Sequence, residues 1–292
     1  MVFSRIDKET KNEHNVLSQN KQVSMLGLTF IGSGSKGNSA LLELGDNKYL
    51  LDAGLSCKRI IDFLKEKQLT LENLSGILIT HEHADHIAGL KVLLKKAPFL
   101  PVYSTKGTLE AIRNKGIIVN NSIIINPNQN INLSNCDCIP FNVPHDAEQP
   151  VGFRFEKSKR VMSIATDLGR ITQEVIEYTQ DADILCLESN YDPEMLRYCQ
   201  YPYWLKNRIK GPNGHLPNEG SRGVLSRMNK VPCDLILMHL SQESNTPELA
   251  RQALIPFFEN DGSIFKKTHI HIASQNFAGD HIAIFPEVYN EN

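Results

Sequence analysis

The chain has 292 residues, 41% of them apolar, and a net charge of −2. That length supports a large core, and that charge excludes a molecule that binds nucleic acid through its overall field. No apolar run approaches the ~18 residues of a membrane span, and the polar opening MVFSRIDKETKNEHNVLSQNKQ lacks the apolar centre of a secretory signal, so no membrane contact and a cytoplasmic location are expected.

Residues 1–24 are too polar to bury much and read as a flexible N-terminal extension. A first strand is expected over 27–31, followed by a tight connection, GSGSKGNS (32–39), and two short strands in SALLELG and KYLLDAG. Helical spacing covers 58–67, with Ile60, Ile61, Phe63 and Leu64 between charges. The strand GILIT leads into a histidine-rich loop and then a helix to about Lys96, which Pro98 ends. A strand at 101–104 and a helix at 105–115 continue the alternation. The section 117–156 reads as β, through IIVN, SIII, CDCIPF and VGFRFE. Strands RVMSIAT, ADILCLES, DLILMHLS and HIHIAS follow, with the helix ITQEVIEYT after the first of them. This order predicts an α/β protein with two sheets and helices on their outer faces, as one domain over 25–292. The six cysteines are scattered without a C-x-x-C pair and read as reduced thiols.

Polar residues recur where apolar strands end: Asp52, His81 to His86, His145, Asp167, Glu188 and His239. A lone histidine there is usually bland. The loop HEHADH is different, because three imidazoles and a carboxylate cannot easily be buried neutral together, and if exposed they have no reason to cluster. A divalent cation resolves this, since imidazole nitrogen and carboxylate oxygen are its natural ligands. His81 and His83 can hold one ion and Asp85 and His86 a second; His145 and His239 complete one site each, and Asp167 can bridge. Seven ligands for two ions leave a shared position for water.

Charge is also uneven. From Arg197 to Lys230 the window carries +6, so the remainder carries −8. Within it, Tyr198, Tyr201, Tyr203 and Trp204 interleave with Lys206, Arg208 and Lys210. Aromatics can stack on unpaired bases while cations meet phosphates. The alternative is an ordinary solvated helix whose aromatics enter the core.

The series GSGSKGNS, LLDAG, THEHADH, PHDAEQPVGF, ATDLG, LESNYD, GHLPN and MHLS resembles the metallo-β-lactamase fold hydrolases, and within them the WalJ/YycJ branch. The resemblance implies an αβ/βα four-layer sandwich with two divalent ions, Zn2+ or Mn2+, where the sheets meet. His81, His83 and His145 would hold one ion, Asp85, His86 and His239 the other, and Asp167 both. Asp52 would steady the histidine loop from behind. A hydroxide between the ions would be the nucleophile, with Asp85 among the catalytic residues. His215 resembles the extra histidine of phosphodiesterase members such as tRNase Z, with Glu188 orienting it. Ser35 or Asn38 in the Gly-rich turn could meet a phosphate, as could Lys206, Arg208 and Lys210. The chain departs from the branch at Pro217, where a serine is usual, and in its longer lead-in.

The expectation is a dinuclear phosphodiesterase cleaving nucleic acid, DNA rather than RNA, as an exonuclease; a homodimer is compatible with it. Alternatives are a small cyclic phosphodiesterase, a glyoxalase-II-like thioester hydrolase, which the +6 window argues against, and a metal-stabilised scaffold or regulatory protein.

Overall fold

The computed structural model describes residues 25–260 and 268–285; the expected flexible extension, 1–24, lies outside them. In chain order the first half holds β1 (Leu26–Gly32), β2 (Ser39–Leu44), β3 (Asn47–Leu51), α1 (Cys57–Glu66), β4 (Leu74–Leu78), α2 (Ala84–Ile87), α3 (Leu90–Lys96), β5 (Val102–Ser104), α4 (Lys106–Asn114) and β6 (Ser122–Ile124). The second holds β7 (Ile131–Asn132), β8 (Asp137–Asn142), β9 (Val151–Lys157), β10 (Arg160–Ala165), α5 (Gln173–Thr179), β11 (Ile184–Glu188), α6 (Pro193–Tyr198), α7 (Tyr203–Lys210), α8 (Asn218–Leu225), β12 (Asp234–Met238), α9 (Pro247–Gln252), α10 (Ile255–Asn260), β13 (His269–Ile272) and β14 (Ile282–Ile284).

Two mixed seven-stranded sheets result, in the orders β14-β1-β2-β3-β4-β5-β6 and β13-β12-β11-β10-β9-β8-β7. Period-two alternation sorts their side chains. Leu26, Leu28 and Phe30 of β1, Tyr49 and Leu51 of β3, and Leu78 of β4 share one core with Phe153, Phe155, Met162, Ile164, Ile236 and Met238 of the other sheet. The opposite faces are covered by helices. Leu50 and Ile77 pack with Ile60, Phe63 and Leu64 of α1 and Leu90 and Leu93 of α3. Leu185, Leu235 and Leu237 pack with Val175 of α5 and Val224 of α8. The order helix, sheet, sheet, helix is an αβ/βα sandwich. The six cysteines are free, four of them buried.

Three elements differ from the sequence reading. The expected strand IIVN is irregular: Ile117 and Val119 are buried from a segment that follows α4, while Ile118 is 76% exposed. Alternation there reflects anchoring of a loop to the core beneath the sheet. The histidine loop is partly helical, because α2 begins at Ala84 and takes in Asp85 and His86. The strand β14, too short to show a pattern, pairs antiparallel with β1 at Leu26–Leu28.

The strands that carry the site deliver it to one edge. β3 and β4 are parallel, as are β10, β11 and β12. The two sheets are tied there by backbone and side-chain bonds: Val151 N–H donates to the Thr80 carbonyl (3.0 Å), and His239 N–H donates to Ser33 Oγ (2.9 Å).

Candidate metal centre

Asp52 and His239 each follow a strand directly, and Asp167 lies two residues beyond one. All three have left-handed backbone, with φ of 55°, 57° and 58° respectively. Non-glycine residues rarely adopt that region, and such outliers cluster where side chains are held for function. Glycines make the histidine turn fit. A Cβ on Gly54 would lie 1.7 Å from the Asp85 carbonyl oxygen. That carbonyl accepts the Asn38 N–H at 2.7 Å, so the Gly-rich turn and α2 are sewn together through a space only glycine leaves.

Hydrogen bonds fix the imidazoles one by one. His86 Nδ1 meets Asp52 Oδ2 at 2.8 Å, and Asp52 Oδ1 accepts the Thr80 N–H at 2.9 Å. His145 Nδ1 meets the Gly214 carbonyl at 3.0 Å, and His239 Nδ1 meets Glu188 Oε1 at 3.0 Å. Each of these acceptors keeps a proton on Nδ1, so that Nε2 is the nitrogen turned to a metal ion. His81 Nδ1 lies 3.0 Å from Thr80 Oγ1, while its buried Nε2 has no hydrogen-bond partner.

Four donor groups emerge in which every ligand atom lies within 4.8 Å of the others: His81, His83 and His145; Asp85, His86 and His239; His81, His86 and Asp167; and Asp167, Glu188, His215 and His239. Asp167 faces both sides, with Oδ1 at 3.6 Å from His145 Nε2 and Oδ2 at 3.4 Å from His86 Nε2. An orphaned buried nitrogen among converging imidazoles and carboxylates fits a divalent metal ion, the group that would satisfy them together.

Charges within the cluster offset one another. Burial pushes His81 well below the usual imidazole range, with the charge of His86 adding to it. Burial also opposes charge on His86, but Asp52, Asp167 and Asp85 outweigh it and raise that imidazole to about 9. Burial would raise Asp85, yet the His239 hydrogen bond and the nearby imidazoles bring it to about 2. Protons and metal ions therefore compete for the same nitrogens.

Comparison with known proteins places the chain. Residues 47–240 match the family described as "Beta-lactamase superfamily domain". The "Exodeoxyribonuclease YycJ" of Bacillus anthracis is 34% identical over 242 residues, covering 81% of this chain and 91% of that protein. The "Exodeoxyribonuclease WalJ" of Streptococcus pneumoniae is 36% identical over 232 residues, covering 78% and 86%. The chain belongs to the YycJ/WalJ family of the beta-lactamase superfamily. The fold agrees: the metallo-β-lactamase fold protein YhfI of Bacillus subtilis superposes with a TM-score of 0.64 at 16% identity, over 87% of this chain and 99% of that one.

In this YycJ/WalJ-family chain, a pocket of about 330 Å³ opens onto the cluster and is lined by His83, Asp85, Asp167, His215 and His239. His215 Nδ1 meets Glu188 Oε1 at 2.8 Å. The same oxygen meets His239, so the orienting carboxylate serves two imidazoles, and its Oε2 accepts the Leu168 and Leu216 N–H groups. Of the two phosphate candidates in the Gly-rich turn, Ser35 lines the pocket. Asn38 is buried beneath it, with Oδ1 accepting the Gly34 N–H and Nδ2 3.1 Å from His86 Nε2, so it braces the turn against the cluster. Of the three cations expected on α7, Arg208 lines the pocket and Lys206 and Lys210 do not; the Lys206 ammonium donates to the Arg197 carbonyl. The aromatics Tyr198, Tyr203 and Trp204 are 70%, 78% and 67% exposed, not in the core.

Sequence reasoning missed Asn190, which lines the pocket and donates to the His239 carbonyl at 2.8 Å. It also passed over Asp146, next to His145 in PHDA, although a second acid beside a ligand histidine was a signal in plain view. Pro217 heads α8 without a side-chain cap; its carbonyl accepts the Gly220 N–H instead.

Proposed function

We propose that this chain is a metal-dependent phosphodiesterase, an exodeoxyribonuclease holding two divalent ions, Zn2+ or Mn2+. One observation carries the reading: five imidazoles, Asp85 and Asp167 converge on a pocket that also holds an oriented His215 and a guanidinium. His81, His83 and His145 would hold one ion, Asp85, His86 and His239 the other, with Asp167 touching both. Such ions, when bound, lower the pKa of water and stabilise charge on attacking and leaving oxygens.

The chain's own groups supply the rest. Glu188 holds His215 through Nδ1 and stabilises the charge of its imidazolium, which becomes neutral when Nε2 gives its proton to the departing oxygen. Arg208 meets phosphate. The exposed Tyr203 and Trp204, with Lys206 and Lys210 on the same helix, suit an unpaired strand leading out of the pocket. The relatives' names favour DNA over RNA. Residues 25–292 are read as one hydrolase domain acting in the cytoplasm; no helix among the described residues is long and apolar enough to cross a membrane.

The test is a metal-supplemented assay on end-labelled single- and double-stranded DNA and RNA, with metal analysis of the same preparation. Stepwise shortening of DNA from an end, with about two equivalents of metal per chain, is expected from the two-metal arrangement. Asp167→Ala should lose both metal and activity. A protein fully active with one ion or none, or one that leaves every DNA substrate intact with both Zn2+ and Mn2+ present, sinks the reading.

A further inference from the structure

Arg208 is the one lysine or arginine among the described residues that lines the metal-site pocket. It does not hang loose there. Its Nε donates to Asp146 Oδ2 at 2.6 Å and its Nη2 to Asp146 Oδ1 at 3.0 Å. Asp146 is itself anchored by sequence to His145, and its Oδ1 lies 3.6 Å from His145 Nε2 and 3.9 Å from His83 Nε2. The carboxylate thus sits between two candidate ligand histidines and the guanidinium.

A guanidinium has five N–H groups and two edges that can grip an oxyanion with paired bonds. Asp146 occupies the Nε/Nη2 edge. Three N–H groups remain, and one on Nη1 together with one on Nη2 forms the other edge. Among the described residues the guanidinium makes no further hydrogen bond. The helix carrying Arg208 is packed down by Ile209, which is buried against Tyr191 and Leu196, with Leu205 beside them, so the side chain starts from a fixed base.

We propose that Asp146 is a positioning residue whose task is to hold Arg208 with its second edge presented to a substrate phosphate in the pocket. This rests on the phosphodiesterase reading. It adds the group that selects a phosphate, and the acid that makes that group rigid. A lysine could supply the charge but not the two-edged grip, so one carboxylate and one phosphate are held at once only by arginine. Asp146 also balances the cation beside a centre that gains positive charge when metal binds, so that Arg208 can stay near it.

Kinetics and phosphate binding of the metal-loaded full chain test this. Asp146→Asn and Arg208→Lys should each raise KM for a DNA substrate, and the Kd for inorganic phosphate by calorimetry, about ten- to hundredfold, the scale of a lost charge-assisted grip. The kcat should stay within about threefold, because the grip is made in the ground state and transition state alike. The double variant should be no worse than Arg208→Lys alone, since both remove one interaction. Metal content should match the wild type in all three. Multiplicative losses in the double variant would mean that Asp146 acts apart from Arg208. Loss of metal in Asp146→Asn would place it in the ion site instead. Either result, or an unchanged KM and phosphate Kd, overturns the proposal. Should Asp146→Asn fail to fold, Arg208→Lys on the exposed helix face still decides whether the grip exists. A wild type inert on every polymer would overturn the functional reading, while the phosphate titration would still judge the grip.

Discussion

Asp52→Asn is the sharpest probe of how the fold prepares the metal centre. Asparagine is nearly isosteric and is among the residues most at home at the φ of 55° found there, so the backbone should not move. What changes is the bonding. Asp52 accepts from the Thr80 N–H with Oδ1 and meets His86 Nδ1 with Oδ2. Asparagine has one acceptor oxygen. If that oxygen keeps the Thr80 N–H, the amide nitrogen faces His86 Nδ1, which must then accept. The imidazole proton moves to Nε2, the atom 3.4 Å from Asp167 and 3.6 Å from Asp85, where a metal needs a lone pair. If the amide flips, a donor faces the Thr80 N–H in a buried site. Both outcomes weaken the centre. Losing such an outer partner costs about 10- to 100-fold in metal affinity, or about 1.4–2.7 kcal/mol. Competition with a chromophoric chelator measures it, with thermal unfolding of the metal-free protein as the control for folding. The comparison should be run near pH 9 as well as at neutrality. Asp52 helps raise His86 to about 9, so a metal must displace a proton from the wild type at neutral pH, and the variant escapes part of that competition. The deficit should therefore be larger at the higher pH. A variant that binds metal as tightly as the wild type near pH 9 would refute the reasoning.

Three further outcomes are expected. His215→Ala should keep its metal and its melting temperature but lose about 10²–10⁴ in rate, with a smaller loss on a nitrophenyl diester whose leaving oxygen needs little protonation; equal losses on both substrates would remove the acid role. Gly54→Ala should destabilise by at least the ~3 kcal/mol upper range of overpacking and lose metal, because the new methyl meets the Asp85 peptide; a wild-type melting curve with full metal content would contradict the close approach. The Glu43 carboxyl lies below its usual 4.5 chiefly through its hydrogen bond with His281, against the effect of burial. A depressed acid contributes stability above its unfolded pKa and loses it as pH falls through the folded value. His281→Gln should thus be less stable near neutrality by under about 1 kcal/mol, His281 being 40% exposed, and the gap should close at acid pH; a gap that persists there in denaturant melts would assign the effect to packing.

Much of the centre's setting was legible because apolar strands and the composition of one loop carry it. Apolar runs located the ends of β3, β4, β10, β11 and β12, and Asp52, His81, His86, Asp167, Glu188 and His239, which end or follow them, lie together at the site edge. The loop HEHADH announced itself because its composition has no comfortable metal-free burial. The apolar run misled at IIVN, where Ile117 and Val119 anchor a loop and mimic a strand. No such run marks β14, whose three residues owe their place to pairing with β1, a contact more than two hundred residues away in the chain.

The illegible part has a common cause: it depends on which edge or oxygen of a side chain is already taken. Glu188 was expected to orient His215, yet one of its oxygens serves both His215 and His239, so one carboxylate links the candidate acid to a candidate metal ligand. Arg208 was expected to meet phosphate, and only the three-dimensional placement of Asp146, 62 positions away, shows that two of its five N–H donors are spent in aiming the remainder. Asn38 was read as a phosphate contact from its Gly-rich setting, and its burial against Asp85 and His86 makes it a brace. Residue type states what a group can donate or accept; function is decided by what remains after the fold has drawn on it. Removing a bracing partner should therefore alter metal affinity or KM before it alters the chemical step, which is the order of effects that Asp52→Asn and Asp146→Asn are designed to read.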